Sequence, residues 1–512
     1  MITSASDTVL ISSERTGSNE PVYVMAAACF GMGCIQVLVP GVSAVFWASM
    51  IVLTLVAFVS FARLLSVPFY VTPWSLYATS VSLGYGLGTL NTVARGYTKG
   101  FSLLEMTYAD MTHVSLAEGL ILILVGLLLL AGTLDKKKLL PPTDFSDTEK
   151  RAALVMLVIS AVSAVAGVAT GSIGYGGGQG SEEGSGRVSP IGALLVSSMT
   201  ATLATGVFIF AKEKNPKVRL TALLLCGTLL GPILLGGRRT FIFAIVVASI
   251  GLFANLGIKE LFKKRTLILL FVAGMAVMSI TRFYFAMRIA SYKLEPHPPL
   301  VELVKGGWDV ITHAESEGLD EANAENQGTR TFIIGYLAEM LERGSLSRTL
   351  GGDLLTVDVA TAIPTVIWPG KWAVMQRIGS EEFACHTAFG LPVWDAANNT
   401  ITAGFCDFWY PGLFLYPIGV MLFFAAINRA FGRAPLLVRS LLCFATAENL
   451  FQVETTITTY LAGLRNLSMI AFFAWGVVLV MRYIDSRPLV QYHRAQKELH
   501  QQTLAALRKG RA

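Results

Sequence analysis

Charge is scarce in this sequence. Asp, Glu, Lys and Arg make up 14% of the 512 residues, about half the roughly 25% of an ordinary soluble domain. There is no Asp-x-Asp pair, no His/Cys cluster at zinc spacing, no Walker loop and no dinucleotide fingerprint. Those absences argue against a nucleotide-sugar donor held through a divalent metal, and the chain calls for no cofactor and no metal. Hydrophobic residues are abundant, at 53%, with a mean hydropathy of +0.59. They fall in runs of about 20 with the charges collected between them, a pattern that excludes a soluble enzyme, a disordered chain and a nucleic-acid-binding domain. The expected fold class is all-α, a polytopic integral membrane helix bundle. The net charge of +6 then belongs to loops beside lipid headgroups more than to an acidic partner.

Apolar runs long enough to cross about 30 Å of hydrocarbon predict about twelve spans, at 22–39, 42–62, 69–89, 114–133, 152–171, 190–211, 220–235, 241–257, 266–285, 409–428, 440–461 and 467–482. Pro40-Gly41 splits the first apolar block, and Gly236-Gly237-Arg238-Arg239 splits the block at 220–257. Alternate loops hold the basic residues: Lys136–Lys138 with Lys150 and Arg151, then Lys212–Arg219, Lys259–Arg265, Arg429–Arg439 and the tail from Arg482. Basic loops stay cytoplasmic, so both termini are expected there, in a multi-pass protein of the bacterial inner membrane. The apolar stretch after Arg15 reads as an uncleaved first helix. The division expected is an N-terminal bundle of about nine spans (1–285), a long periplasmic helical loop (286–402), C-terminal spans (403–483) and a cytoplasmic amphipathic tail (484–512).

The long loop, about 115 residues from Met287 to Thr402, is too long to be structureless. Helices are expected from Leu300 to Ile311 and from Asp320 to Leu341, where Phe332, Ile333, Tyr336, Leu337, Met340 and Leu341 share a face. A turn-rich return follows through Ala362-Ile363-Pro364 and Trp368-Pro369-Gly370-Lys371. The segment 171–190, glycine-rich, reads as a mobile cover. Of the six cysteines, Cys29, Cys34, Cys226 and Cys443 fall in apolar spans as small core residues. Cys385 and Cys406 fall in the outer region, where an oxidising compartment permits pairing. Distance alone decides whether they pair.

Charges inside a span or on its outer rim cost a few kcal/mol each and need a reason. Arg238 and Arg239, in a Gly-Gly-Arg-Arg-Thr turn, read either as side chains snorkelling to lipid phosphates or as a diphosphate clamp, since guanidinium forks match phosphate oxygens. Arg282, Arg288, Arg330, Lys371, Arg377 and Arg465 extend a basic outer rim that would gather an anionic headgroup. Glu448 and Glu454 fall in the eleventh span. Each is either a bundle-interior acid paired with an Arg such as Arg239 or Arg465, or a general base set by partial burial. Glu454 leads a stripe of Thr455, Thr456, Thr458 and Thr459. Asp407, among aromatics at the start of the tenth span, suits a sugar-binding rim, although aromatic belts at this depth are ordinary. His386 lies nearby and reads more readily as a surface residue than as a catalytic one.

The tract Leu235-Gly236-Gly237-Arg238-Arg239-Thr240 resembles the Gly-x-Arg turn of bacterial O-antigen (Wzy-type) repeat-unit polymerases. Ile363-Pro364, Trp368-Pro369-Gly370-Lys371 and Gly404-Phe405-Cys406-Asp407-Phe408-Trp409-Tyr410-Pro411-Gly412 resemble that family's closing elements of the long loop. Here Asp407 stands where Glu is more usual, and Gly370 interrupts the Pro-Lys element. The resemblance covers residues 220–430 by motif and the whole chain by plan. It implies metal-independent glycosyl transfer between undecaprenyl-diphosphate-linked oligosaccharides, donor and acceptor, on the periplasmic face, in company with a flippase and a chain-length regulator. On that reading Arg238 and Arg239 stabilise the departing diphosphate, with Arg239 catalytic. Arg282, Arg330, Lys371, Arg465 and His386 bind substrate, and Asp407 or Glu454 takes the proton. The competing readings are an outer-face ligase with another acceptor, a lipid-linked oligosaccharide transporter, and a structural partner in a polysaccharide assembly.

Overall fold

Every described element is helical. The computed structural model describes residues 19–66, 71–87, 89–90, 111–135, 145–170, 173, 198–235, 238–253, 262–293, 300–312, 333–344, 348–363, 367–379, 381–391 and 399–487, and no strand occurs among them. We number the α-helices in chain order. The first set is α1 (Glu20–Leu38), α2 (Ser43–Ser66), α3 (Pro73–Val81), α4 (Met111–Leu134), α5 (Asp147–Ala169), α6 (Met199–Lys212), α7 (Pro216–Leu235), α8 (Arg238–Phe253) and α9 (Lys264–Lys293). Then come α10 (Leu300–Thr312), α11 (Ile333–Arg343), α12 (Asp353–Ala362), α13 (Lys371–Ile378) and α14 (Glu381–Phe389), and finally α15 (Thr400–Ala430), α16 (Leu436–Leu450) and α17 (Ile457–Asp485). A π-helical turn, Ser82–Leu87, continues α3.

A helix falls in each of the twelve expected intervals. Seven, α1, α2, α4, α5, α7, α15 and α17, are long and apolar enough to cross a membrane, and α6 and α8 are shorter apolar helices. The lipid-facing surface is visible as exposed apolar side chains, such as Val24, Phe30 and Leu38 on α1, and Leu223 and Leu224 on α7. Lipid contact is the environment in which such side chains stop being a liability. The centre is α4, 72% of whose apolar stretch is buried, against 28% for α7 and α17. It packs closely on α1, because a Cβ on Gly33 would meet the Gly119 carbonyl oxygen at 2.8 Å and one on Gly126 the Ala26 carbonyl oxygen at 3.0 Å. Small residues at a helix crossing let backbones approach in this way.

Local sequence starts these helices where capping chemistry allows. Thr72 with Ser75, Ser146 with Glu149, and Asn399 with Thr402 each form a reciprocal capping box at the head of α3, α5 and α15. Pro40 and Gly41, the latter at φ +85°, make the turn between α1 and α2.

Among the described residues, ion pairs bring the basic connections at 135–151, 212–219 and 429–439 together with the end of α17. Lys150 pairs with Glu213 at 2.9 Å, Arg151 with Asp485, and Arg429 with Asp135 at 3.3 Å. There the Leu436 amide also donates to Glu149 Oε1 at 2.7 Å. The opposite end carries α11–α14. The loop is less separate than its length implies: every residue of α11 from Ile333 to Leu341 is buried, against α4 and the π-turn. Ile333 and Val453 both close on Gly84.

The expected helix 300–311 is α10. The expected helix at 320–341 is described only as α11, its first part lying outside the described residues. The turn-rich return expected at 362–371 is the connection between α12 and α13, non-helical at 363 and 367–370; the three helices around it, α12–α14, were not expected. The twelve-span reading also takes 440–461 as one helix. The structure ends α16 at Leu450, turns through Phe451–Thr456 and starts α17 at Ile457. The threonine stripe is therefore turn and cap chemistry: Thr456 accepts from the Thr459 amide at 3.4 Å. The glycine-rich segment 174–197 and the tail beyond residue 487 lie outside the described residues.

Candidate functional site

The segment Gly404–Gly412 is a helix break. Within α15, Phe408 (φ −137°, ψ 21°) and Trp409 (φ 57°, ψ −145°) leave helical geometry. The chain reverses so sharply that Gly404 and Gly412 meet backbone to backbone: a Cβ on Gly404 would sit 2.2 Å from the Gly412 carbonyl oxygen. Only glycine permits that approach. Trp409, among the described residues the single non-glycine at positive φ, is held by ring contacts with Phe405 at 5.4 Å and Phe389 at 6.1 Å. Pro411 opens the second half, a position where its missing N–H costs nothing.

The break leaves carbonyls and a carboxylate free, and α12 uses them. The Leu350 and Gly351 amides donate to the carbonyls of Cys406 (3.0 Å) and Asp407 (3.1 Å). The Leu354 and Leu355 amides donate to Asp407 Oδ1 and Oδ2 at 3.2 and 3.1 Å. The local N-cap of α12 is Gly352, at φ +98° and with no side chain to offer. Asp407, more than 50 residues away in sequence, therefore caps the helix in its place, and it also accepts a hydrogen bond from the Tyr416 hydroxyl. At the other end of α12, the buried Lys371 donates from Nζ to the carbonyls of Ile363 (2.6 Å) and Thr361 (3.5 Å). An acid at the N-terminus and a base at the C-terminus of one helix both complement its dipole.

Between these caps lies a group of acids that the sequence reading did not single out. Asp358, fully buried on α12, accepts from the Thr458 hydroxyl at the start of α17 and lies close to the carboxyl of Glu381 on α14. Burial, with a contribution from Asp407, pushes Asp358 up to about 6. Cys385 and Cys406 are disulfide-bonded, their Cα atoms 6.0 Å apart, which ties α14 to the residue before Asp407.

The other candidates are more scattered. Arg238 and Arg239 open α8. Arg330 lies outside the described residues. Arg282 is half-buried on α9. Arg465 is exposed, eight residues or about 12 Å along α17, with Nε donating to Asn466 Oδ1 at 3.4 Å. Arg377 is exposed and pairs with Asp353 at 3.3 Å. Glu454 is half-buried in the turn between α16 and α17, and Glu448 bonds to Thr200 rather than to an arginine. Two expectations are corrected. His386 is not a surface residue but fully buried, its ring 5.5 Å from that of Tyr336. Lys371 is not on an open rim but beneath α12.

Glu118 was missed although legible. It is a lone acid within the apolar run of α4, fully buried, with neither carboxylate oxygen hydrogen-bonded among the described residues. An ionisable residue at that depth is a functional candidate by default. Asp358 and Glu381 had no such signal, because they sit in a polar loop where acids are ordinary. Among the described residues no three His, Cys, Asp or Glu side chains converge as a metal site. Comparison of the chain with protein-family models, with curated proteins and with solved structures gave no match.

Proposed function

We propose that the chain polymerises undecaprenyl-diphosphate-linked oligosaccharide units by metal-independent glycosyl transfer at the periplasmic face of a bacterial inner membrane. One observation carries the reading. The two segments that resemble the polymerase family's loop elements, at Lys371 and at Gly404–Gly412, end on the same short helix, one at each pole of α12. Further support comes from Arg465, a charge exposed some way along an apolar helix, where an anionic partner would offset its cost. The disulfide fits an oxidising compartment on the α11–α14 side. On this reading about twelve helices cross, both termini are cytoplasmic, and 286–402 is a periplasmic insertion.

The acceptor hydroxyl oxygen attacks the anomeric carbon of the donor. The bond from that carbon to the phosphate oxygen breaks, and its electron pair leaves with undecaprenyl diphosphate. Arg238 and Arg239 stabilise the departing charge, while Arg282, Arg330 and Arg465 hold phosphates. Asp407 has its oxygens committed to α12 and Tyr416, so the proton goes to Glu454. Lys371 and His386 support the subdomain rather than the substrate.

The test is a gel of surface polysaccharide from a strain lacking the chain, complemented with variants. The expected result is collapse of the ladder to core plus one unit in the deletion strain. Arg239→Ala and Glu454→Gln should fail to restore extension at unchanged protein level, whereas Asp407→Asn should lower the protein level. Loss of single-unit bands as well would indicate a ligase or flippase. A normal ladder with Arg239→Ala would remove the clamp.

A further inference from the structure

The helix α10 has more apolar surface than the protein covers. Leu303, Gly307 and Val310 pack on α9, so closely that a Cβ on Gly307 would meet Met287 Cγ at 2.7 Å. At about 100° per residue, the same apolar arc continues onto Val301, Val304 and Trp308. These three are 64%, 40% and 60% exposed. Glu302, Lys305 and Asp309 occupy the remaining side. Half of the apolar arc is thus sealed by α9 and half has no protein against it among the described residues.

The position of α10 along α9 identifies what covers the other half. α9 has 30 residues, about 45 Å at 1.5 Å per residue, which exceeds the roughly 30 Å of hydrocarbon. Its exposed apolar side chains, Leu267, Ile268, Phe271, Val272, Met275 and Met278, lie in its first half. Taking α9 as the span expected at 266–285, α10 lies against Phe285–Ala290, about 20 residues along, at the far edge of the hydrocarbon. A helix at that level with a wide apolar arc, a tryptophan within it and a lysine beside it has the composition of an interfacial helix. We propose that α10 lies in the headgroup region of the leaflet at this end of the bundle, with Val301, Val304 and Trp308 inserted among the upper acyl chains and Lys305 reaching the phosphates. It would then serve as a fixed membrane float for the segment that leads into α11–α14. This inference does not depend on the enzymatic reading.

The test uses the full-length protein reconstituted in vesicles of phosphatidylcholine and phosphatidylglycerol whose acyl chains carry bromine either near the headgroup or near the bilayer centre. The fluorescence difference between the wild-type protein and Trp308→Phe isolates Trp308, and Trp308→Tyr provides a second difference should the first variant melt at a lower temperature. The expected result is that shallow bromines remove more of the difference signal than deep bromines do. Quenching by aqueous acrylamide without bromine quenching would place Trp308 in water and overturn the proposal. Protection from both quenchers would mean that a second copy of the chain covers the face, and would equally overturn it. Stronger quenching by the deep bromines would make α10 a spanning segment and not an interfacial one.

Discussion

Asp358 is a carboxyl in a place that disfavours its charge, and its effect on stability has a definite sign. Its ordinary value of 3.8 is raised to about 6 by burial, so between those values the folded protein holds a proton that the unfolded chain has released. Stability therefore increases as pH falls through about 6 and levels off below about 4, the reverse of a salt-bridged acid. The rise corresponds to roughly 3 kcal/mol at 1.36 kcal/mol per tenfold. The groups facing it are Glu381 on α14, Asp407 and Tyr416 on α15, and Thr458 on α17. Melting of the detergent-solubilised protein should show this slope between pH 6 and pH 4, and Asp358→Asn should flatten it while raising stability at pH 7. An unchanged slope would mean that another group titrates there. That Asp358 and Glu381 come close together was not legible, since their approach is made by folding α12 onto α14. From sequence, Asp407 and Lys371 had roles toward substrate; that they cap α12 was not legible, because the helix they cap was not expected.

At the scale of the element, the break in α15 is the feature on which the site depends. A continuous helix would place Gly404 and Gly412 about 12 Å apart; here they are in van der Waals contact. Gly404→Ala brings a Cβ against backbone that has no rotamer to yield. The substitution should cost about 1–3 kcal/mol or more, read as a lowered melting temperature. Gly419→Ala lies on the same helix with nothing within 4 Å of the added Cβ. It should instead be neutral, or stabilising by about 0.5–1 kcal/mol, as expected for a helix interior. If both variants behave alike, the close approach is not what sets the break. The aromatics Phe408, Trp409 and Tyr410 beside Asp407 suit either a sugar-binding rim or an ordinary interfacial belt, and Phe408 and Tyr410 are exposed. Trp409 is different: its ring holds a left-handed backbone in place.

For the molecule as a whole, one end is fastened by ion pairs among basic connections and the other by caps, hydroxyls and a disulfide. Asn399 donates from Nδ2 to the Tyr85 hydroxyl at 3.0 Å, and the Thr400 hydroxyl donates to the Thr455 carbonyl at 3.3 Å, so α15 is joined to the π-turn and to the α16–α17 turn. The disulfide gives this asymmetry a chemical readout. Alkylation of the denatured, non-reduced protein should modify four thiols, Cys29, Cys34, Cys226 and Cys443, and reduction first should raise the number to six. Six modified thiols without reductant would put the α14 side in a reducing compartment, contrary to the proposed orientation.

The helical class, the membrane environment and the position of most helices were determined by the sequence alone, because apolar length and charge placement act locally and set what a bilayer accepts. Capping boxes at Thr72, Ser146 and Asn399 were equally local. Only the tertiary structure decided that the long loop packs α11 against α4, that a glycine pair folds α15 back on itself, and that Asp407 and Lys371 serve the two ends of α12. Those contacts join residues far apart in the chain, and their free energy exists only once the intervening helices have packed, so no window of sequence contains them.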